Sequence, residues 1–318
     1  MALTEHLDVI IVGGGPAGLC AALYAGRGML KSVVLERGLP GGELLNTAEV
    51  EDYPGFRSIL GPELAAKMAE HAQGFGADIR MENVEGIHLL PDGSFRVSTS
   101  SENEFRAPAV ILTAGGTPTK LGVPGELEYA GKGVSYCAVC DGAFFRNEII
   151  AVVGGGDSAL EEGDYLTRYA ARVHLIHRRD EFRGSRVLQE RAFANPKLEV
   201  HYNSRVRAMV GDEKGLKHLE LEDTISGEPS QLAVTGCFVF IGFKPNSWLV
   251  REHVSHDAAG YLITDDRMMT SIPGLFAAGD LRAQLTRQVT TAVGDATTAA
   301  IAVEKYLKAR EAAAEAAV

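Results

Sequence analysis

The stretch SYCAVCDG, residues 135–142, sets two cysteines three positions apart and follows the second with an acid. Such a pair is a redox dithiol, half of a zinc site, or coincidence. As a dithiol, Cys137 and Cys140 can close a small disulfide, and a C-x-x-C arrangement can lower one thiol pKa enough to give a thiolate near neutrality. Asp141 then stands where a proton must be delivered or removed as the bond opens; its plainer use is as a turn residue before Gly142. Zinc would need a second C-x-x-C or a histidine pair at matching spacing. Cys20 and Cys237 are isolated in the chain and read as small apolar fillers. His174 and His177 fall in a segment with another use, so no metal is expected.

The elements that position this pair come from the rest of the chain. At 318 residues, with 46% hydrophobic and 23% charged residues, the sequence has room for two ordinary domains with buried cores. Thirty-six glycines against twelve prolines point to tight turns and close backbone approaches. A net charge of −11 argues against nucleic-acid and anionic-membrane partners, which need dense basic patches. The start lacks a basic, then apolar, leader pattern, and no apolar stretch approaches the roughly 18 residues of a membrane span. With four cysteines, too few for a disulfide scaffold, the expectation is a cytoplasmic protein in a reducing compartment.

An internal repeat organises the chain. DVIIVGGGPAGLCAALYAGR from Asp8 and EIIAVVGGGDSALEEGDYLTR from Glu148 are each an apolar strand, a triple glycine and a helical run. Each continues into a β-branched strand, KSVVLERG and ARVHLIHRR, and the two units lie 141 residues apart with Gly13 set on Gly154. Two such units predict two dinucleotide-binding domains of doubly wound α/β type. FRVSTSSENEFRAP predicts antiparallel strands, and Ala109 to Thr113 a buried one; LKHLELED and CFVFIG repeat that order after the second unit. From about Pro245, GYLITDDRMMTSIPGLFAAGD predicts two short strands, and a long helix follows from about Thr290.

Gly13, Gly15 and Gly18 have G-x-G-x-x-G spacing directly after a strand. Such glycines admit a tight turn, a pyrophosphate against the backbone, and close helix packing, with about half a positive charge at the helix start. Glu36, 23 residues after Gly13, would accept hydrogen bonds from a ribose and repel a 2′-phosphate, which suits FAD or NAD. In the second unit Gly154 and Gly156 are followed by Ala159, and the same count reaches His177, with no acid there. Arg178, Arg179 and Arg183 cluster instead, and guanidinium groups fork onto phosphate, so this site is expected to prefer NADPH. Gly279 and Asp280, in FAAGD, read alone as an ordinary turn; beside the first glycine motif, a short side chain there could meet a flavin's ribityl hydroxyls. Dithiol and NADPH site share a domain and serve one flavin, which predicts alternation by rotation about hinges near Thr117–Lys120 and Lys244–Asn246.

In this order, GGGPAG, CAVCDG, GGGDSA, HRRDEFR and AAGD followed by RQ resemble the low-molecular-weight thioredoxin reductases over essentially the whole chain. The resemblance implies a discontinuous FAD domain, residues 1–118 and 246–318, with an inserted NADPH domain, residues 119–245. It implies a homodimer that passes electrons from NADPH to FAD, to the Cys137/Cys140 disulfide, and on to thioredoxin. Cys140 would be the flavin-side sulfur, Cys137 the outer one, and Asp141 the proton donor. Around FAD it places Gly13, Gly15, Pro16, Ala17, Gly18, Glu36, Gly41, Gly42, Glu43, Leu44, Asn46, Asp52, Val84, Gly115, Gly279, Asp280, Arg287, Gln288 and Val289. Around NADPH it places Gly154, Gly156, Asp157, Ser158, Ala159, His177, Arg178, Arg179, Arg183 and Gly242. Lys132 and Phe144 fall in the thioredoxin-docking region. The chain departs from the family at Glu43 and Asp52, where glutamine and asparagine are usual, and in the order of LTAGG. Other readings of the same motifs are a reductase of another small disulfide protein and a flavin-bound sensor that never turns over.

Overall fold

In the computed structural model, which describes residues 4–316, the wholly apolar runs VIIV and AVIL form the fully buried strands Val9–Val12 and Ala109–Leu112. A strand is apolar throughout only where both faces of its sheet are covered. These two lie inside a five-stranded parallel sheet, ordered Leu275–Ala277, Ala109–Leu112, Val9–Val12, Ser32–Glu36, Asp78–Met81. Alternate residues then go to opposite cores. Val9 and Ile11 pack with alanines of the helices Pro16–Arg27 and Val289–Ala316, while Ile10 and Val12 meet Phe95, Val97 and Phe105 of an antiparallel meander. This unit takes the chain up to Leu45, Glu49–Thr117, and the chain from Lys244 on.

The second unit, Pro118–Phe243 with the short piece Asn46–Ala48, repeats the plan. Its parallel sheet runs Val134–Ser135, Gly236–Phe240, Ile149–Gly154, Arg172–Ile176, Leu198–His201. The antiparallel strands Ser204–Asp212, Gly215–Asp223 and Pro229–Ala233 supply Val206, Met209 and Leu219 to one core. Helices Asp157–Leu166 and Arg186–Ala194 close the other face.

The region expected to hold two strands before the last helix holds one, Leu275–Ala277, plus isolated bridges at Leu262 and Met269. Asp265 Oδ1 accepts the N–H groups of Arg267 and Met269, both at 2.8–2.9 Å. A side chain that takes these donors turns the backbone out of a ladder. No helix among the described residues is long and apolar enough to cross a membrane.

Candidate functional site

Cys137 caps a single helical turn, Ala138–Asp141, and its Sγ accepts the Cys140 N–H at 3.1 Å. The two sulfurs are joined as a disulfide, with Cα atoms 5.4 Å apart. Cys140 is exposed and Cys137 half-buried, because the cap position turns the first sulfur back over the turn. The donor that matters at this cap acts on sulfur. When the bond is open, an N–H aimed at Cys137 favours its thiolate over its thiol.

Sequence reasoning missed the residue that fixes Asp141. Ser135, buried at the end of Val134–Ser135, donates its hydroxyl to Asp141 Oδ2 at 2.6 Å and accepts the Cys137 N–H at 3.1 Å. One serine thus ties the acid to the first cysteine's backbone. The sequence signal was only a hydroxyl two positions before the cysteine. Next to it, Tyr136 donates to Glu126 Oε1 at 2.8 Å, and Glu126 also accepts from the Leu121 and Gly122 N–H groups at 2.9 and 2.6 Å. That buried carboxylate fastens the segment that leads into the pair.

The first glycine turn closes on its own strand. A Cβ on Gly18 would lie 1.8 Å from Gly13 O, so only glycine lets the helix approach this closely. Glu36 is the anchor at the end of the next strand: Oε2 accepts the Gly14 N–H at 2.6 Å and Oε1 the Gly38 N–H at 3.0 Å. A cavity beside it is lined by Gly13, Glu36, Val84, Ala114, Asn246 and Trp248. Further on, Asp280 is half-buried, and its Oδ1 is shielded from solvent with no partner. Burial raises its pKa to about 6; Arg287 opposes this, while Glu43 and Asp295 add to it. Arg287 itself lies over the Tyr261 ring, 3.8 Å from its centroid. Neighbouring Asp295 is paired with Arg282 at 2.7 Å and accepts the Gly279 N–H.

The second turn shows why alanine is tolerated at its third position. Ala159 is fully buried against Gly154, whose own lack of a Cβ makes the space. A Cβ on Gly156 would meet nothing within 4 Å, which leaves the helix start open. Asp157 Oδ1 accepts the Ser185 N–H at 2.6 Å and so draws the following loop back over the turn. His177 packs beneath: a Cβ on Gly155 would lie 2.3 Å from its ring, and its Nε2 is buried with no partner. Burial lowers its pKa, so the ring stays neutral. Arg178, Arg179 and Arg183 are exposed, and none is held in an ion pair among the described residues. An open helix start and exposed guanidinium groups are both chemically suited to anions.

The remaining expected residues are spread over both units. Pro16 and Ala17 open its helix, and Gly15 faces the Gly42 Cα. Gly42, Glu43, Leu44 and Asn46 form a short 3₁₀ segment after Gly41, with Leu44 buried. Asp52 is exposed, Gly115 and Gly242 have positive φ, and Gln288 precedes the last helix, which starts at Val289. Ser158 lies in the helix of the second turn. Lys132 is exposed, and Phe144 is 81% exposed. Cys20 and Cys237 are free and buried, and burial raises both thiol pKa values. Cys20 does more than fill space, since its thiol bonds Val293 O at 3.4 Å in the last helix.

The chemistry open to this arrangement is electron transfer to and from a disulfide, the work of a disulfide oxidoreductase. The chain belongs to the pyridine nucleotide-disulphide oxidoreductase family, whose profile matches residues 7–296, and within it to the thioredoxin reductases. It is 46% identical to the thioredoxin reductase of Listeria innocua over 99% of each chain. It is 49% identical to that of Mycolicibacterium smegmatis over 96% of this chain and 97% of the other. The solved thioredoxin reductase of Lactococcus lactis superposes with a TM-score of 0.92 at 45% identity, covering 95% and 99% of the two chains. That of T. acidophilum gives 0.91 at 34%, covering 95% and 98%.

Proposed function

We propose that this enzyme takes electrons from NADPH through bound FAD to the Cys137–Cys140 disulfide, and passes them to a thioredoxin, as a cytoplasmic homodimer. The observation that carries it is the closed dithiol, with its acid tethered by Ser135, in the same unit as the unpaired arginines. Both nucleotides fit the residues present. The partnerless Asp280 Oδ1 suits a ribityl hydroxyl, and Glu36, Gly13, Gly15, Gly18 and Val84 would hold the adenosine half of FAD. Gly154, Gly156, Ala159, His177, Arg178, Arg179 and Arg183 would hold NADPH, with phosphate at the open helix start and 2′-phosphate on the guanidinium groups. When bound, the flavin supplies the passage between a two-electron hydride donor and a disulfide.

The chain's own part is sulfur and proton chemistry. Two electrons break the S–S bond, and one sulfur takes a proton, a step we assign to Asp141. Its carboxyl is held by the Ser135 hydroxyl, so its direction is set before the bond opens. The Cys137 sulfur keeps the Cys140 N–H as a hydrogen-bond donor, which favours it as the attacking thiolate. Attack on a partner disulfide forms a mixed disulfide and releases the partner's first thiolate; Cys140 then displaces the second and restores the starting bond. Exposed Phe144, on the turn following the pair, offers the aromatic anchor that a small redox protein would bury.

The test is NADPH oxidation in the presence of a small disulfide reagent, with and without a cognate thioredoxin. A thioredoxin should multiply the rate, and the effect should vanish in Cys140→Ser. A rate indifferent to thioredoxin would point to another disulfide partner, and no turnover with either would point to a sensor.

A further inference from the structure

The edge of the second sheet holds a cluster with no part in electron transfer. Strands Arg172–Ile176 and Leu198–His201 pair in parallel, with His174 opposite Glu199 and Ile176 opposite His201. Side chains alternate between faces, so this register puts His174, Glu199 and His201 on one face. His174 Nδ1 lies 2.9 Å from His201 Nε2 and 3.7 Å from Glu199 Oε2, and Glu199 Oε1 lies 3.6 Å from His201 Nε2. All three ligand atoms fall within 4.8 Å of one another. Donors about 2.0–2.2 Å from one tetrahedral ion stand roughly 3.3–3.6 Å apart; each imidazole has a different Glu199 oxygen near that spacing, so a small turn of the carboxylate and a parting of the imidazoles by a few tenths of an ångström would complete the set.

We propose that His174, Glu199 and His201 form a binding site for one divalent ion of the zinc class, completed by water. Two imidazoles and one carboxylate select a borderline ion over magnesium or calcium, which want oxygen alone. Arg172 contacts Glu199 Oε2 at 3.2 Å and competes for that oxygen, but it is exposed and leaves Oε1 facing His201. The site has a reach beyond itself. His201 O accepts the His177 N–H at 2.9 Å, and Arg179 O accepts from Asn203 at 3.0 Å, so the ion would clamp the two strands that carry the arginine segment.

Zinc should be titrated into the oxidised protein against a chromophoric chelator, since the closed disulfide removes the obvious competing ligands. The expected result is one ion per chain, weakened at least about tenfold in His201→Gln and in Glu199→Gln, both at the exposed sheet edge. The Cys137→Ser/Cys140→Ser double variant should bind as the parent does, and bound cobalt should absorb as a nitrogen–oxygen site without thiolate bands. Absent binding, unchanged affinity in His201→Gln, loss in the cysteine variant, or thiolate bands would each overturn the proposal.

Discussion

Asp280 gives a perturbation whose two effects run in opposite directions. Burial lifts its pKa from 3.8 to about 6, and Oδ1 has no partner. The folded protein therefore holds the Asp280 proton more tightly than the unfolded chain does. Well below pH 3.8 both forms are protonated and nothing is lost; the cost grows as pH rises from there and is complete above about 6. The shift corresponds to about 3 kcal/mol, which partial exposure trims to about 1–2. In flavin-free protein, Asp280→Asn should then raise the thermal midpoint at pH 7.5 by a few degrees and change it far less at pH 4. Flavin affinity should move the other way. A ribityl hydroxyl donating to a carboxylate makes a charge-assisted bond, and its loss should weaken FAD binding by about 1–2 kcal/mol, or roughly 5–30-fold. The assays are scanning fluorimetry across pH and flavin titration of the stripped protein. Lower stability at pH 7.5 together with unaltered flavin affinity would refute the assignment of that oxygen.

Replacing Arg178 and Arg179 by glutamine should raise the KM for NADPH by about 10–100-fold while barely moving that for NADH, as loss of one or two charge-assisted phosphate bonds requires; an equal effect on both nucleotides would contradict the arginine assignment. Ser135→Ala removes the 2.6 Å hydrogen bond that orients the Asp141 carboxylate and should slow NADPH-driven disulfide reduction by about 3–10-fold; an unchanged rate would separate Asp141 from the proton step. Burial, with Glu161 adding to it, raises Glu162 to about 8, so its contribution should erode stability as pH rises from about 4.5 to about 8. Glu162→Gln should flatten that slope in thermal melts, and parallel profiles would contradict it.

Much of the fold was legible because its signals are local. VIIV and AVIL are too apolar for anything but doubly covered strands, and the triple glycines mark the turns directly. The spacing from Gly154 likewise pointed at the arginines, whose unpaired state only the structure shows. What sequence left dark are contacts set by tertiary approach. Ser135 is one hydroxyl among many until a helical turn brings Asp141 back to it. Glu162 looks like any acid on a helix, yet it is 5% exposed with one carboxylate oxygen unpartnered. His174 and His201 stand 27 positions apart, and only strand register joins them. The missing strand before the last helix has the same origin, since Asp265 is consistent with either a strand end or a turn until its acceptor is seen to hold two backbone donors.

The central claim is that electrons leave NADPH for the Cys137–Cys140 bond. It is tested most directly by mixing the flavin-loaded oxidised protein anaerobically with an equivalent of NADPH, quenching with a thiol-alkylating reagent, and mapping the label by mass. The account predicts that Cys137 and Cys140 both become alkylated, and that adding oxidised thioredoxin before the quench returns them to the disulfide. NADPH consumed with the two cysteines still joined would contradict it.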